Sequence, residues 1–323
     1  MRSLRYSAIV MPHRRNDRAN DVHRYAAAPM GELSTLTYEV TGRIARIVLN
    51  RPERGNGITL EMPRELAACV ERADLDPNVH VIALSGNGKG FCGGYDLVES
   101  AEGGFSGGGE ATGSPLDPAV IAANHDPSRP WDPMVDYAMM ARNVRGFMSL
   151  FWANKPVVCK VHGFCVAGGT DMALCSDLLV IAEDARIGYP PARVWGVPTT
   201  ALWAHRIGPQ RAKRLLFTGD LLTGAEALEW ELAIEAPPAA ELDARFEALV
   251  ERIARLPVNQ LAMMKLLVNQ SLYSHGLHAT QVLGTVFDGI ARHTPEGYAW
   301  AARAAESGWK AAVRERDEPF GDG

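Results

Sequence analysis

The stretch Lys155–Asp177, KPVVCKVHGFCVAGGTDMALCSD, decides how the rest of the chain is read. Val157, Val158 and Val161 predict a buried strand, Val166 to Gly169 a tight glycine turn, and Thr170 to Ser176 the opening of a helix. A strand that feeds a helix through glycine leaves backbone N–H groups unpaired at the turn. Those amides, with the positive end of the helix dipole behind them, suit an oxygen that carries negative charge. Asp171 stands just inside the predicted helix. A carboxylate beside an oxyanion site is the minimum equipment for moving a proton while an enolate or tetrahedral oxyanion is held.

Working outward toward the N-terminus, His80–Ser85 predicts another strand, which runs directly into a second glycine-dense turn, GNGKGFCGGYDL at 86–97. Before it, Leu60, Leu66, Cys69, Val70 and Ala73 fall at helical spacing over 59–73, with Pro63 in the first turn and Thr59 as the cap. The segment TYEVTGRIARIVLNRP at 37–52 predicts a hairpin turning at Gly42. Strand, helix, strand at this spacing is the crossover unit of an α/β fold. Residues 99–133, rich in Gly, Pro, Ser and acids, read as a long loop, and a loop of that length is a lid, a binding loop or a disordered segment. A helix is predicted over Val135–Phe151, with Met139, Met140, Val144, Phe147, Met148 and Phe151 on one stripe.

Toward the C-terminus, DLLVIA at 177–182 is a further strand and IGYPPARVWGVP at 187–198 is irregular. Helical patterns follow over Gly208–Thr218 and Ala225–Leu232, and then without interruption by strands over 241–255, 258–271, 277–292 and 295–312. The organisation is an extension over residues 1–30, a β/α core over 31–240 carrying the 99–133 loop, and a helical region over 241–323.

Composition narrows the function classes. With 323 residues, 47% of them hydrophobic, the chain can bury a large core. The net charge of −5 is uneven: residues 1–29 hold six arginines and two aspartates, which leaves −9 for the remainder. That balance argues against a nucleic-acid partner for the folded part. The Arg-rich start has no signal-peptide core; it reads as sequence upstream of a natural start at Met30 rather than as a transit peptide. Five cysteines without metal-ligand spacing or disulfide density predict reduced thiols in a cytoplasmic protein. No apolar run reaches the roughly 18 residues of a membrane span.

Taken together, LNRPERGNGI at 49–58, LSGNGKGFCGGYDL at 84–97, KPVVCKVHGFCVAGGTDMALCSDLLVIAEDARIG at 155–188, GPQRAKRLLFTGD at 208–220 and LPVNQLAMMKLLVNQSL at 256–272 resemble the crotonase superfamily of enoyl-CoA hydratases and isomerases. The resemblance implies an α/β fold of stacked ββα turns with an all-helical C-terminal trimerisation region. It implies an acyl-CoA thioester as substrate, no separate cofactor, no metal, and a homotrimer or dimer of trimers. The thioester oxygen would sit between the amides of Gly93 and Gly168, with Asp171 as acid/base. Asn56, Gly57 and Ile58, together with Gly94, Tyr95, Asp96, Leu97 and Gly169, match positions that bind substrate. Hydratases of this group carry a second glutamate about twenty residues beyond the first, and here that position falls on Pro191.

That substitution leaves three readings: a hydratase or isomerase that works through Asp171, a non-catalytic acyl-CoA binder, and a hydrolase on the same scaffold. His125, Asp126, Asp132 and Asp136 are candidates for the missing acid. His162, Cys92 and Cys165 beside the turns read as packing residues rather than as a base or thiol nucleophiles. Gly86-x-Gly88 lacks the third glycine of a dinucleotide loop, since Phe91 stands there.

Overall fold

Apolar runs on the strands build the main sheet, from which both glycine turns are reached. A computed structural model describes residues 32–97 and 113–321. The predicted extension over residues 1–30 and the first part of the predicted 99–133 loop lie outside the described residues. The hairpin is present, with β1 (Leu36–Thr41) antiparallel to β2 (Ile44–Leu49). After α1 (Met62–Leu75) comes β3 (Val81–Gly86), parallel to β2. A parallel sheet covered on both faces needs continuous apolar strands. Accordingly Val81, Ile82 and Leu84 in β3 are all fully buried.

The segment from 113 onward departs from a plain loop. Asp117 accepts a hydrogen bond from Ala119 N and starts a two-turn helix, α2 (Pro118–Asn124), so the loop prediction over 99–133 is corrected there. The aspartate before proline is a helix-start signal that the surrounding Gly and Pro content obscured. Asp132 caps α3 (Pro133–Trp152) in the same way. Its Phe147 and Met148 are fully buried.

Next come β4 (Val157–Val161), β5 (Phe164–Val166), the short α4 (Gly168–Ala173), β6 (Leu178–Ile181) and β7 (Arg186–Gly188). The main sheet has five strands in the order β1-β2-β3-β4-β6, parallel throughout except at the hairpin. α5 (Trp203–Thr218) precedes β8 (Leu221–Thr223) and α6 (Gly224–Glu229). β5, β7 and β8 form a second sheet of three strands, in that order. Three-residue strands are too short to express a period, and this sheet is absent from the sequence reading. Helix α5 begins earlier than predicted, at Trp203, and bends at Gly208, which departs from helical geometry (φ 74°, ψ 162°).

Beyond α6 all described elements are helical: α7 (Leu242–Ala254), α8 (Val258–Ser274), α9 (Leu277–Arg292), α10 (Pro295–Ser307) and α11 (Trp309–Asp317), with short 3₁₀ turns between and after them. The predicted helix over 295–312 is two helices. Gly308 (φ 79°, ψ 148°) breaks it, and α11 turns back along α10. All five cysteines are free and buried, and no helix among the described residues is long and apolar enough to cross a membrane.

A buried cation docks the helical region onto the β/α core. Lys265 on α8 reaches inward, and its ammonium lies 2.9 Å from Asp177 Oδ2 while donating to Leu150 O (2.9 Å) and Lys155 O (3.1 Å). Its neighbour on the same helix, Asn269, donates to Phe151 O at 3.0 Å. Burial lowers the Lys265 pKa, so the ion pair and the carbonyls are what keep the charge in place. Lys265→Ala is expected to cost about 3–5 kcal/mol of unfolding free energy, because a carboxylate and two carbonyls lose their donor. Urea unfolding followed by circular dichroism measures it, and a loss below about 1 kcal/mol would show that the docking does not rest on this contact.

Candidate active site

The two glycine turns meet back to back. Cys92 and Cys165 form an isolated parallel bridge, with Val166 N donating to Cys92 O (3.0 Å) and Cys92 N to Phe164 O (3.2 Å). His162 Nε2 lies 2.9 Å from Gly88 O and ties the end of β4 to the start of the first turn. Asn56 is fully buried and spends its amide on the first turn, donating to Asn87 O (2.8 Å) and Phe91 O (2.9 Å). Contact between the turns requires glycine at one point. Gly94 has φ 92°, and a Cβ on it would stand 2.7 Å from the Ala167 Cβ.

This packing selects the amides that remain free. Gly93 N is already committed, donating to Gly55 O at 2.9 Å. Asp96 N donates to Ile58 O at 3.0 Å. Between them, Tyr95 N has no hydrogen-bond partner among the described residues, and neither does Gly168 N at the head of α4. Of the two amides expected to hold an oxyanion, Gly168 N is free among the described residues and Gly93 N is not; Tyr95 N is the free amide on the first turn that faces the cavity. The physical reason is that the Gly93 amide is used in folding the turn.

Both residues face a cavity of about 630 Å³. Of the positions singled out from the sequence, Ile58, Gly93, Tyr95, Asp96, Leu97 and Gly168 line it, whereas Asn56, Gly57, Gly94, Gly169 and Asp171 do not. Gly57 backs onto Asp96 and Gly169 onto Cys92. Asp96 is held by Arg51 (3.0 Å) and Arg54 (2.7 Å). Burial pushes the Cys92 thiol up to about 12, which leaves it a packed thiol rather than a nucleophile.

The outer wall comes from the C-terminal helices, whose contribution the sequence reading missed. Trp300 on α10 stacks near Trp195, ring centroids 4.7 Å apart, while Trp309 and Val313 on α11 line the cavity. The hairpin is fastened by Asp317, which pairs with Arg193 at 2.9 Å, and by the Phe320 ring, 4.1 Å below the same guanidinium.

Residues 39–116 and 134–296 match the sequence profile of the Enoyl-CoA hydratase/isomerase family. The chain belongs to that family, within the crotonase superfamily. The fold is similar to a crystal structure of an enoyl-CoA hydratase from Mycobacterium smegmatis, with 59% identity, a TM-score of 0.86, and coverage of 91% of this chain and 98% of that one. It is also similar to an enoyl-CoA hydratase/isomerase from Xanthobacter autotrophicus Py2, with 26% identity, a TM-score of 0.73, and coverage of 90% and 99%. Among characterised sequences, it is 26% identical over 255 residues to the (E)-benzylidenesuccinyl-CoA hydratase of Thauera aromatica, covering 77% of this chain and 88% of that one.

In this family member Asp171 lies on α4, one turn beyond Gly168, and is 1% exposed. Its Oδ1 accepts hydrogen bonds from Thr200 N (3.0 Å) and Thr200 Oγ1 (2.8 Å). Its Oδ2 is buried with no hydrogen-bond partner among the described residues. Burial, reinforced by the negative charge of Asp288, raises the Asp171 pKa to about 7 against the Thr200 hydrogen bonds. The Tyr95 and Tyr189 phenols on the cavity wall are held well above their ordinary range, by burial first and then by Asp171, so both remain hydroxyl donors.

Pro191 is part of the cavity wall and brings no acid there. The aspartate candidates from the 113–136 region, Asp126, Asp132 and Asp136, are committed elsewhere. Asp126 bonds Ser128, and Asp132 caps α3. Asp136 is buried beneath the cavity, accepting from Arg292 (2.8 Å), Asn124 (2.8 Å) and Trp131 (2.8 Å), with His293 Nε2 3.0 Å away. These donors and the Arg292 charge hold its pKa well below the usual range despite burial. His125, Asp136 and His293 bring ligand-type atoms within 4.8 Å of one another. The Arg292 guanidinium already supplies the cation at that cluster. His125 lines the cavity, and burial keeps its imidazole pKa below the ordinary value.

The raised pKa of Asp171 has a stability consequence. Between its ordinary value of 3.8 and about 7 the native state binds a proton that the unfolded chain has released, so stability falls as pH rises through that window. The size is on the order of 4 kcal/mol. Asp171→Asn is expected to gain stability relative to the wild type from pH 4 to pH 8. Parallel chemical unfolding at both pH values tests this, and a pH-independent difference would mean that Asp171 is not desolvated in the native state.

Proposed function

We propose that the protein converts an acyl-CoA thioester through an enolate, as an enoyl-CoA hydratase or isomerase. The observation that carries this reading is the pair of unpartnered amides, Tyr95 N and Gly168 N, on two turns that converge on one wall of the cavity. Two fixed donors favour a charge that grows on the thioester oxygen, and each such donor contributes roughly 3–4 kcal/mol in comparable sites. Asp171 holds the transferred proton. A carboxyl group with a pKa near neutrality both gives and takes a proton at low cost, and its Oδ2 is the one partnerless carboxylate oxygen among the buried described side chains.

The indole-rich wall supports a bulky acyl group. Trp195, Trp300 and Trp309, with Met139 and Met140, present large and adaptable apolar surface at the acyl end. Relatives with named substrates include one for benzylidenesuccinyl-CoA, whose acyl group carries an aromatic ring. The apolar faces left open on α8 and α9 support a homotrimer or a dimer of trimers: Leu267 and Val268 are more than 60% exposed, and Leu283 and Phe287 about half. Five free buried thiols support a cytoplasmic setting.

The wild-type protein is to be incubated with enoyl-CoA thioesters of graded bulk in isotopically labelled water, read by mass spectrometry, with calorimetry on the same compounds. The expected result is addition of one water, or deuterium uptake at the α-carbon without it, on at least one bulky member. Binding throughout with neither change would favour the acyl-CoA binder, and release of free CoA the hydrolase. With an accepted substrate in hand, Asp171→Asn is expected to lower kcat at least about 100-fold with acyl-CoA binding retained. Unchanged turnover on every accepted substrate would remove Asp171 from the chemistry.

A further inference from the structure

The wall around Pro191 receives its carboxylate from elsewhere in the chain. Among the described residues, three aspartates line the cavity: Asp96, Asp288 and Asp317. Asp96 is bound by Arg51 and Arg54, and Asp317 by Arg193 and Arg316, so each meets two cations, Arg193 also reaching Asp220 at 3.7 Å. Asp288, on α9, is different. Its Oδ1 accepts from Val197 N at 3.2 Å, and its Oδ2 pairs with Arg292, the same guanidinium that serves Asp136. One guanidinium is thus shared between two carboxylates, Asp288 and Asp136.

The approach of Asp288 is built into α9. Gly284 lies against the Pro198 carbonyl, where a Cβ would come within 2.6 Å, and Gly289 lies against Asp136, where one would come within 2.9 Å. Small residues on both sides bring this face of the helix down onto the 196–199 loop and α3, with Asp288 between them. The Val197 hydrogen bond places that carboxylate at the loop that begins with Pro191. It is 4% exposed and within electrostatic range of Asp171, whose ionisation it opposes.

We propose that Asp288 is the second catalytic carboxylate, supplied by α9 in place of an acid at position 191, and that it binds and deprotonates the attacking water. This rests on the hydratase reading above. As the water oxygen bonds to the β-carbon, Asp288 takes one water proton and the C=C electron pair moves onto the thioester oxygen, held by the Tyr95 and Gly168 amides. The enolate then takes a proton at the α-carbon from Asp171. A proton passed from Asp288 to Asp171 through solvent restores both groups, and the net change is addition of one water. Arg292 and Asp136 are positioning residues in this scheme.

The test is Asp288→Asn, which is nearly isosteric and keeps an acceptor for Val197 N, assayed on a substrate that the wild type hydrates. Expected are a fall in kcat of at least about 100-fold, an acyl-CoA Kd within twofold of the wild type, and unchanged near-UV circular dichroism. A variant with wild-type kcat overturns the assignment, and so does a loss accounted for by a rise in Kd. If the asparagine variant does not fold, Asp288→Glu decides, since it keeps the charge opposite Arg292 while displacing the carboxylate. A fall of tenfold or more in its kcat at unchanged Kd supports the assignment, and wild-type kcat overturns it. Failure of the broader reading is separately visible, because the wild type would then hydrate no member of the thioester panel.

Discussion

Everything at the site depends on the approach of two backbone turns without side chains between them. Gly94 and Ala167 face each other at a distance that a second Cβ would not permit. β3 and β4 are adjacent and parallel in the main sheet, and the first turn follows β3 directly while the second follows β4 through the short strand β5, so both reach the same edge. Open α/β sheets place ligands at the carboxyl ends of their strands for this reason. The residue cost is visible in Ala167, which sits at φ 53°, ψ −129°, a conformation rare outside glycine.

The second constraint is charge. The cavity floor holds a buried row running from Asp136 on α3 through Arg292 to Asp288 on α9, and Asp171 lies within range of its field. Such a row is expensive to bury unless every member is paired. Asp136 meets that demand with four donors, whereas Asp171 meets half of it, with one oxygen satisfied and one not. The imbalance separates an acid that is structural from one that is available for proton transfer. It also links the helical region to the β/α core through function as well as through the Lys265 docking contact.

Much of this was legible in the residues. Long apolar strands and amphipathic helices announce themselves through period, and the glycine turns through composition, so the α/β core and the succession of C-terminal helices could be read before any coordinates. What escaped reading was decided by geometry with no local signature. Gly93 and Tyr95 are equally good amide donors on paper, and only the Gly55 carbonyl, in place to accept from Gly93, separates them. Asp288 carries no mark that distinguishes it from any other helix acid, because its meaning comes from a loop some ninety residues earlier in the chain. The three-residue strands of the second sheet and the break at Gly308 were hidden likewise, one by shortness and the other by good helix formers on both sides.

The clasp between Arg193 and Asp317 places α11 in the wall of the cavity. Under the proposed function, the chemistry and the choice of acyl group fall to different parts of the chain. The two turns would handle the thioester, which every CoA ester shares, while α10 and α11 would meet the part that varies. Exchange of Trp300 and Trp309 would then re-cut the chamber and leave the turns untouched, a division of labour in which one scaffold could serve many acyl groups by altering one pair of helices.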